Sequence, residues 1–221
     1  MPVTNPDTHS VSVPPVLLLH GLWTHAPIMR WFATRLRSHG FAPAACGYYS
    51  VIEDTDAAIG RIAQAVRAQP GCHIVAHSLG GMLAVHALMR FDDLRCGRVV
   101  CLGTPLAGSG AAAAVRLQLP RAQRLIGGHM PLLLQGTGEV PPRLEVGMIA
   151  GCVRRGLGGW VAGFNCEHDG TVAVAETQVP GLRDHRVLPV SHSGLLFSDQ
   201  ALRQTVHFLR HGVFRQADES V

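Results

Sequence analysis

Three residues of the sequence have side chains that together can perform nucleophilic catalysis. Ser78 lies in the stretch VAHSLGG, Asp169 in CEHDGTVAVAET and His192 in VLPVSHSGLL. A serine hydroxyl is a poor nucleophile until an imidazole removes its proton, and the imidazole needs a carboxylate that fixes its tautomer and stabilises its positive charge. These residue types predict acyl transfer, in which Ser78 attacks a carbonyl group.

Small residues surround Ser78 at Ala76, Gly80 and Gly81. They fit a sharp turn between a strand and a helix, because larger side chains two positions from the serine would collide and the following helix must pack closely. The backbone N–H of Leu79 would begin that helix and point to a substrate oxyanion. The alternative interpretation is an ordinary tight turn without a catalytic role.

A second oxyanion donor is predicted after the first strand, in the stretch LLLHGLW. Gly21 allows the backbone to turn so that the N–H of Leu22 faces the substrate oxygen. His20 is expected to order this loop through hydrogen bonds. Trp23 follows the predicted oxyanion hole directly, and it either lines a pocket for the substrate or belongs to the core.

Other acidic and histidine residues lie beside the candidate acid and base. Glu167 is two residues before Asp169 and could serve as the acid instead. His77 precedes Ser78, and it is expected to be a packed or hydrogen-bonded neighbour because adjacent side chains on a strand point to opposite faces. His168 is expected to face solvent, as most loop histidines do.

Strands that alternate with helices are predicted to position these residues. Apolar runs indicate strands at 11–19, 41–49, 72–76, 98–102, 146–153 and 186–190, and apolar periodicity indicates helices around 28–36, 54–66, 79–90 and 198–209. This alternation, without hairpin signals, favours an α/β fold with a mostly parallel central sheet and helices on both faces. Reactive groups collect at the carboxyl ends of such strands.

Residues 108–142 form one long insertion of about 35 residues, where a connection of about 2 to 6 is usual. Its apolar patches, one of which includes Leu125, are separated by glycine and proline. The segment is either a helical lid or cap over an acyl pocket or an ordinary crossover helix with irregular ends. Residues 1–221 as a whole are predicted to form a single compact domain.

Composition and charge exclude several classes of function. All 19 basic residues are arginine, so a Walker-type phosphate loop, a Schiff-base enzyme and a lysine general base are excluded. The arginines are scattered and rarely adjoin aromatic residues, so no nucleic-acid partner is expected, and the adjacent Arg154 and Arg155 fit a solvated turn. No cofactor is predicted, and no metal, since no histidine pair has a convincing ligand spacing.

Cysteine usage and hydropathy bear on location. The six cysteines include no CxxC pair and lie mostly in apolar runs, which favours free thiols. No apolar run reaches the ~18 residues of a membrane helix, and no secretory signal is recognisable at the amino terminus. A cytoplasmic location without a transmembrane segment is therefore expected, while the apolar insertion is compatible with transient contact at a lipid interface.

The motifs and their order resemble the α/β-hydrolase superfamily, and in particular its small bacterial lipases and esterases. The resemblance extends from the strand before HGLW to the helix after SHSGLL, and the chain order serine, aspartate, histidine is that of the superfamily. The stretch DGTV is similar to the acid loop of the family, which favours Asp169 over Glu167. LGTPLAGS looks like the segment that follows the sixth strand of lipase-like members. Ala76 departs from the glycine that G-x-S-x-G expects.

The resemblance implies a carboxylic ester hydrolase that uses Ser78, His192 and Asp169 on a small-molecule or lipid ester with an apolar acyl group. The N–H groups of Leu22 and Leu79 would hold the oxyanion. A thioesterase or an acyltransferase would use the same residues, because these enzymes differ only in the leaving group or the acceptor. A further alternative is a non-catalytic protein that binds a hydrophobic ligand or partner in the pocket.

Overall fold

Six strands form one sheet at the centre of the fold. The computed structural model describes residues 13–23, 26–119, 121, 126–155 and 166–216. Its strands are β1 (Pro15–Leu19), β2 (Ala42–Ala45), β3 (Cys72–His77), β4 (Cys96–Leu102), β5 (Val146–Gly151) and β6 (Asp184–Leu188). Their spatial order is β2-β1-β3-β4-β5-β6, and every neighbouring pair is parallel. The predicted α/β fold with a parallel sheet is confirmed.

Six α-helices connect and cover these strands within the described residues. They are α1 (Arg30–Ser38), α2 (Thr55–Ala68), α3 (Leu79–Arg90), α4 (Gly110–Gln118), α5 (Met130–Gln135) and α6 (Asp199–His211). The helix starts predicted near residues 54 and 198 are confirmed by their caps. The Asp54 side chain accepts a hydrogen bond from the Ala57 N–H at 2.8 Å, and the Ser198 hydroxyl accepts one from the Ala201 N–H at 3.2 Å.

Buried apolar side chains form two clusters, one on each face of the sheet. Successive strand residues alternate between them, so that Leu17 and Ile74 pack with α2 and α3 while Leu18 and Val75 pack with α1 and α6. Both faces of the central strands are therefore covered by apolar side chains. This double burial explains why the buried parts of β1, β3 and β4, at 16–19, 74–76 and 99–102, are continuous apolar runs in the sequence.

The sheet differs from the prediction at its edges and at several strand ends. The prediction of β2 at 41–49 was too long, and β6 lies two residues earlier than the predicted 186–190. Each of these is an edge strand with a neighbour on one side only, so its hydrophobic pattern is weak. Pro189 supplies no N–H to continue a ladder, which favours the end of β6 at Leu188. β4 begins two residues before the predicted 98, and β5 ends at Gly151 rather than at 153.

The described part of the insertion at 108–142 contains α4 and α5. Within the insertion the Ser109 N–H donates to the Leu133 carbonyl, and the Thr137 N–H donates to the Leu106 carbonyl in the loop after β4, each at 2.7 Å. The Thr55 hydroxyl at the start of α2 lies 2.9 Å from His129 Nδ1. Residues 120 and 122–125, including the predicted apolar patch at Leu125, lie outside the described residues.

All six cysteines are free thiols, as predicted. Burial raises the pKa of the Cys101 thiol to about 12 and that of Cys72 to about 11, so neither is a thiolate at neutral pH. None of the described helices combines the length and the apolar character that crossing a membrane requires.

The contact between β5 and α6 provides a test of the packing. A Cβ atom at Gly147 would lie 2.5 Å from a ring carbon of Phe208. We expect Gly147→Ala to lower the free energy of unfolding by about 1–3 kcal/mol, measured by urea denaturation, because the ring must move away from the sheet.

Gly60→Ala in α2 is the matched control, since a Cβ atom there would meet no heavy atom within 4 Å. The helix propensity of alanine is expected to raise the free energy of unfolding by up to about 1 kcal/mol. Equal stability of Gly147→Ala and the wild type would contradict the close packing of Phe208 on β5.

Candidate active site

Ser78 occupies a strained turn between β3 and α3. Its φ of 54° and ψ of −124° are unusual for a residue with a Cβ atom. The Ser78 N–H donates to the Leu102 carbonyl at 2.9 Å, which ties the turn to the end of β4. Backbone strain of this kind persists only where the surrounding structure holds it in place. The turn therefore presents Ser78 at the carboxyl edge of the sheet.

Three glycines allow the chain to close around this turn. A Cβ atom at Gly80 would overlap the His20 carbonyl, and one at Gly81 would overlap the Thr104 side chain. A Cβ atom at Gly21 would lie 3.0 Å from that of Ser78. The predicted need for small residues around the serine is confirmed, and its cause is the close approach of α3 to the loops that follow β1 and β4.

Asp169 and His192 form a buried pair. His192 Nδ1 lies 2.7 Å from Asp169 Oδ2, and the His192 N–H donates to the Asp169 carbonyl at 2.9 Å. The other carboxylate oxygen, Oδ1, accepts hydrogen bonds from the N–H groups of Thr171 at 2.9 Å and Val172 at 2.7 Å. Asp169 thus orients the imidazole through Nδ1 and leaves Nε2 to face other groups.

Glu167 and His168 directly precede Asp169 in the sequence, but their side chains lie in different environments. The Glu167 side chain is exposed and has no contact with His192, whereas Asp169 is 1 % exposed. The expectation that His168 faces solvent was wrong. His168 is buried, and its Nδ1 accepts a hydrogen bond from the Gly170 N–H at 3.0 Å, so that it supports the turn of the acid loop.

Gly103 supports the buried pair, and the sequence analysis missed it. Its φ is +57°, and a Cβ atom there would lie 3.1 Å from both Asp169 Oδ2 and His192 Nδ1. Its N–H donates to the Ile149 carbonyl at 2.8 Å. A side chain would therefore push into the hydrogen bond between the acid and the imidazole. The available signal was a glycine directly after the strand in LGTP.

His77 packs against the other side of His192. The two ring centroids are 4.6 Å apart, and His77 Nε2 donates to the His192 carbonyl at 3.1 Å. Burial lowers the pKa of His77 to about 3, so its ring is neutral at physiological pH. His77 is thus the packed and hydrogen-bonded neighbour that the sequence predicted.

The loop after β1 is fixed by Tyr48, a second residue that the sequence analysis missed. The rings of His20 and Tyr48 stack with centroids 4.3 Å apart. The Tyr48 hydroxyl donates to the His20 carbonyl at 2.5 Å, and His20 Nε2 lies 3.2 Å from the Tyr48 carbonyl. This reciprocal contact holds the chain leading into Leu22 and Trp23.

Glu176 joins the acid loop to the insertion. Its carboxylate accepts hydrogen bonds from the Gly110 N–H at 2.6 Å and from the Ala173 N–H at 2.9 Å. Gly110 is the first residue of α4, and Ala173 follows the loop that holds Asp169. Burial raises the pKa of the Glu176 carboxyl group above its ordinary value. The start of α4 and the acid loop therefore form one connected unit.

A cavity of about 440 Å³ opens at this edge of the sheet. It is lined by five of the six residues singled out from the sequence, namely Leu22, Trp23, Ser78, Leu79 and His192, and Asp169 lies behind His192. Most of its remaining wall is apolar and comes from the insertion and the acid loop, with Ala111, Ala112, Val115, Ile126, Leu133 and Val172.

Backbone geometry determines what Leu79 and Trp23 present to the cavity. Leu79 is the first residue of α3, so its N–H has no partner in the regular hydrogen bonding of the helix. Trp23 has a φ of 58° and is 62 % exposed, which puts it at the mouth of the cavity and not in the core.

Within the described ranges, no three His, Cys, Asp or Glu side chains come together as a metal site.

The architecture and this site agree with a known family. The family model described as "Alpha/beta hydrolase family" matches residues 16–207. The chain belongs to the alpha/beta hydrolase family. The match extends from β1 to α6. No curated protein sequence matches it closely enough to count as a relative.

Solved structures similar to this hydrolase include bacterial lipases and esterases. The mature lipase BlEst2 of Bacillus licheniformis superposes with a TM-score of 0.71 at 19 % identity, over 96 % of each chain. A metagenomic carboxyl esterase gives 0.64 at 17 % identity, over 83 % of this chain and 65 % of its own. An esterase from Exiguobacterium antarcticum gives 0.57 at 13 % identity, over 89 % and 92 %. At these identities the similarity is one of fold.

The buried imidazole of His77 predicts a loss of stability in acid. Its pKa of about 3 in the folded protein is below the ordinary 6.5, so the unfolded chain binds a proton that the folded protein excludes. The free energy of unfolding then decreases as pH falls from about 6.5 towards 3. The protonation of His77 in the unfolded chain alone lowers it by about 2 kcal/mol between pH 7 and pH 5.

His77→Gln keeps an N–H donor for the His192 carbonyl but does not titrate. We expect the difference in unfolding free energy between pH 7 and pH 5, measured by urea denaturation, to shrink by about 2 kcal/mol relative to the wild type. If the unfolding free energy falls by the same amount between pH 7 and pH 5 in both proteins, His77 is not held neutral in the folded protein.

Proposed function

We propose that this protein is a serine hydrolase of carboxylic esters. The observation that carries the proposal is the 2.7 Å contact between Asp169 and His192 Nδ1, in an imidazole that lines the same cavity as Ser78 on its strained turn. A carboxylate, an imidazole and a serine in this order are the groups that activate a hydroxyl for attack on a carbonyl carbon.

In the proposed reaction the Ser78 hydroxyl attacks the ester carbonyl while His192 Nε2 accepts its proton. Asp169 holds the imidazole by Nδ1 and stabilises the imidazolium. The carbonyl oxygen gains negative charge, which the N–H groups of Leu22 and Leu79 stabilise by hydrogen bonds. His192 then returns the proton to the leaving alcohol, and water repeats the attack on the acyl-enzyme.

The lining of the cavity supports an apolar acyl group as substrate. Its volume of about 440 Å³ suits a small ligand, and its apolar wall from α4 and α5 would contact a hydrocarbon chain. In this proposal residues 108–142 form the cap over the acyl group, and Trp23 contacts the substrate at the mouth. The lipase and the esterases with this fold are ester hydrolases by name, which supports the same substrate class.

Turnover of p-nitrophenyl esters from acetyl to palmitoyl tests the nucleophile. We expect Ser78→Ala to lower kcat by at least about 10³-fold and to abolish labelling by a fluorophosphonate, because alanine has no hydroxyl group to form the acyl-enzyme. The acyl chain length with the highest kcat/KM would show how long an acyl group the pocket accepts.

Ser193→Ala is the matched control, since Ser193 is an exposed serine that lines the same cavity. It is expected to keep kcat within about threefold of the wild type. Retained turnover in Ser78→Ala, or no turnover of any ester by the wild type, would refute the proposed function.

The acid is tested by two variants of neighbouring carboxylates. Asp169→Asn is expected to lower kcat by about 10³–10⁴-fold, because the amide no longer selects the reactive tautomer of His192. Glu167→Gln should leave kcat within about twofold of the wild type, since the Glu167 side chain is exposed. Circular dichroism spectra that match the wild type would exclude unfolding. A larger loss of kcat in Glu167→Gln than in Asp169→Asn would show that Glu167 is the acid.

A further inference from the structure

Among the described residues, one formally charged side chain lines the mostly apolar cavity. Arg155 contributes to its wall, and the other titratable lining residues are His77 and His192. Arg155 is exposed, and its guanidinium group stays charged at all physiological pH values. A hydrocarbon substrate offers such a group no partner, whereas a negatively charged group of a substrate in the cavity can pair with it.

The backbone of Arg155 is anchored to the sheet edge that holds the site. The Val153 N–H donates to the Val190 carbonyl at 3.1 Å, two residues before His192, and the Arg155 N–H donates to the Val153 carbonyl at 2.8 Å. Arg155 thus extends from the end of β5 beside the segment that leads to His192. Its position is set by the same strands that position Asp169 and His192.

Arg155 is not engaged in an ion pair within the described part of the chain, whereas its neighbour Arg154 donates to the Cys166 carbonyl at 3.4 Å. The carboxylate of Asp169 is already bonded through both oxygens and lies behind His192. The sequence of residues 156–165, GLGGWVAGFN, contains no acidic residue. The segment that follows Arg155 therefore offers it no carboxylate as an ion-pair partner.

We propose that Arg155 binds a carboxylate group of the substrate, so that this protein acts on esters that combine an apolar acyl group with one negative charge. This inference rests on the proposed function. A guanidinium and a carboxylate form two parallel hydrogen bonds, which are stronger than bonds between neutral groups because both partners are charged. One positive charge balances a carboxylate, whereas a phosphate monoester would bring close to two negative charges to a cavity that has one arginine among its described lining residues.

Three esters of similar size test this inference: p-nitrophenyl butyrate, which is neutral, p-nitrophenyl hydrogen glutarate, with a carboxylate on the acyl side, and 4-carboxyphenyl butyrate, with a carboxylate on the alcohol side. We expect the wild type to have a lower KM for one of the two charged esters than for the neutral one. Arg155→Gln should raise that KM by about tenfold or more, the size expected for losing a charge-assisted pair, and leave kcat/KM for the neutral ester within about twofold.

Arg154→Gln is the matched control, because it removes the same charge from the adjacent position. It should leave the preference for the charged ester unchanged, and Arg155→Lys should retain part of it. The preference of the wild type should also weaken as salt is raised, since screening reduces the attraction. The ester whose KM responds shows whether the carboxylate belongs to the acyl or to the alcohol part.

The outcomes separate this inference from the proposed function. If the wild type hydrolyses all three esters and Arg155→Gln changes charged and neutral substrates equally, or changes neither, the role of Arg155 is refuted and the hydrolase remains. If the wild type hydrolyses none of the three and is not labelled at Ser78, the proposed function fails and the inference fails with it. Thermal denaturation of each variant shows whether it is folded.

Discussion

A residue with a Cβ atom loses about 1–3 kcal/mol in a backbone conformation as rare as that of Ser78. The surrounding structure holds it there through one hydrogen bond, from the Ser78 N–H to the Leu102 carbonyl, and through the tight packing of α3. That packing is available only because Gly80 and Gly81 lack side chains. The ends of β1, β3 and β4 are consequently locked around the serine, and the other groups of the site are arranged relative to it.

The buried carboxylate of Asp169 imposes a second requirement, since a buried charge is costly unless it is hydrogen-bonded. Two backbone N–H groups and the imidazole of His192 meet this need. Gly103 leaves the space in which the pair can meet. His77 stays neutral beside His192 because burial lowers the pKa of His77 to about 3.

The wall of the cavity is connected to the same buried pair. Glu176 binds the start of α4 with one oxygen and the acid loop with the other, so the apolar surface that would hold an acyl group is tied to the loop of Asp169. Trp23 and Arg155 lie on the remaining sides. A cavity assembled from the segments after β1, β3, β4, β5 and β6 thus combines a mostly apolar wall with one positive charge among its described lining residues.

Residue patterns along the chain were enough to predict the parallel α/β sheet, the turn at Ser78 and the need for small neighbours, because strand periodicity, helix caps and tight turns depend on residues close together in the chain. The folded chain was needed to show the contact between His192 and Asp169, the burial of His168, and the place of Gly103 beside the acid and the imidazole. These outcomes depend on contacts between segments that lie far apart in sequence, and local composition carries little information about such contacts. The edge strands were misjudged for a related reason, since pairing on one side leaves only a faint hydrophobic pattern.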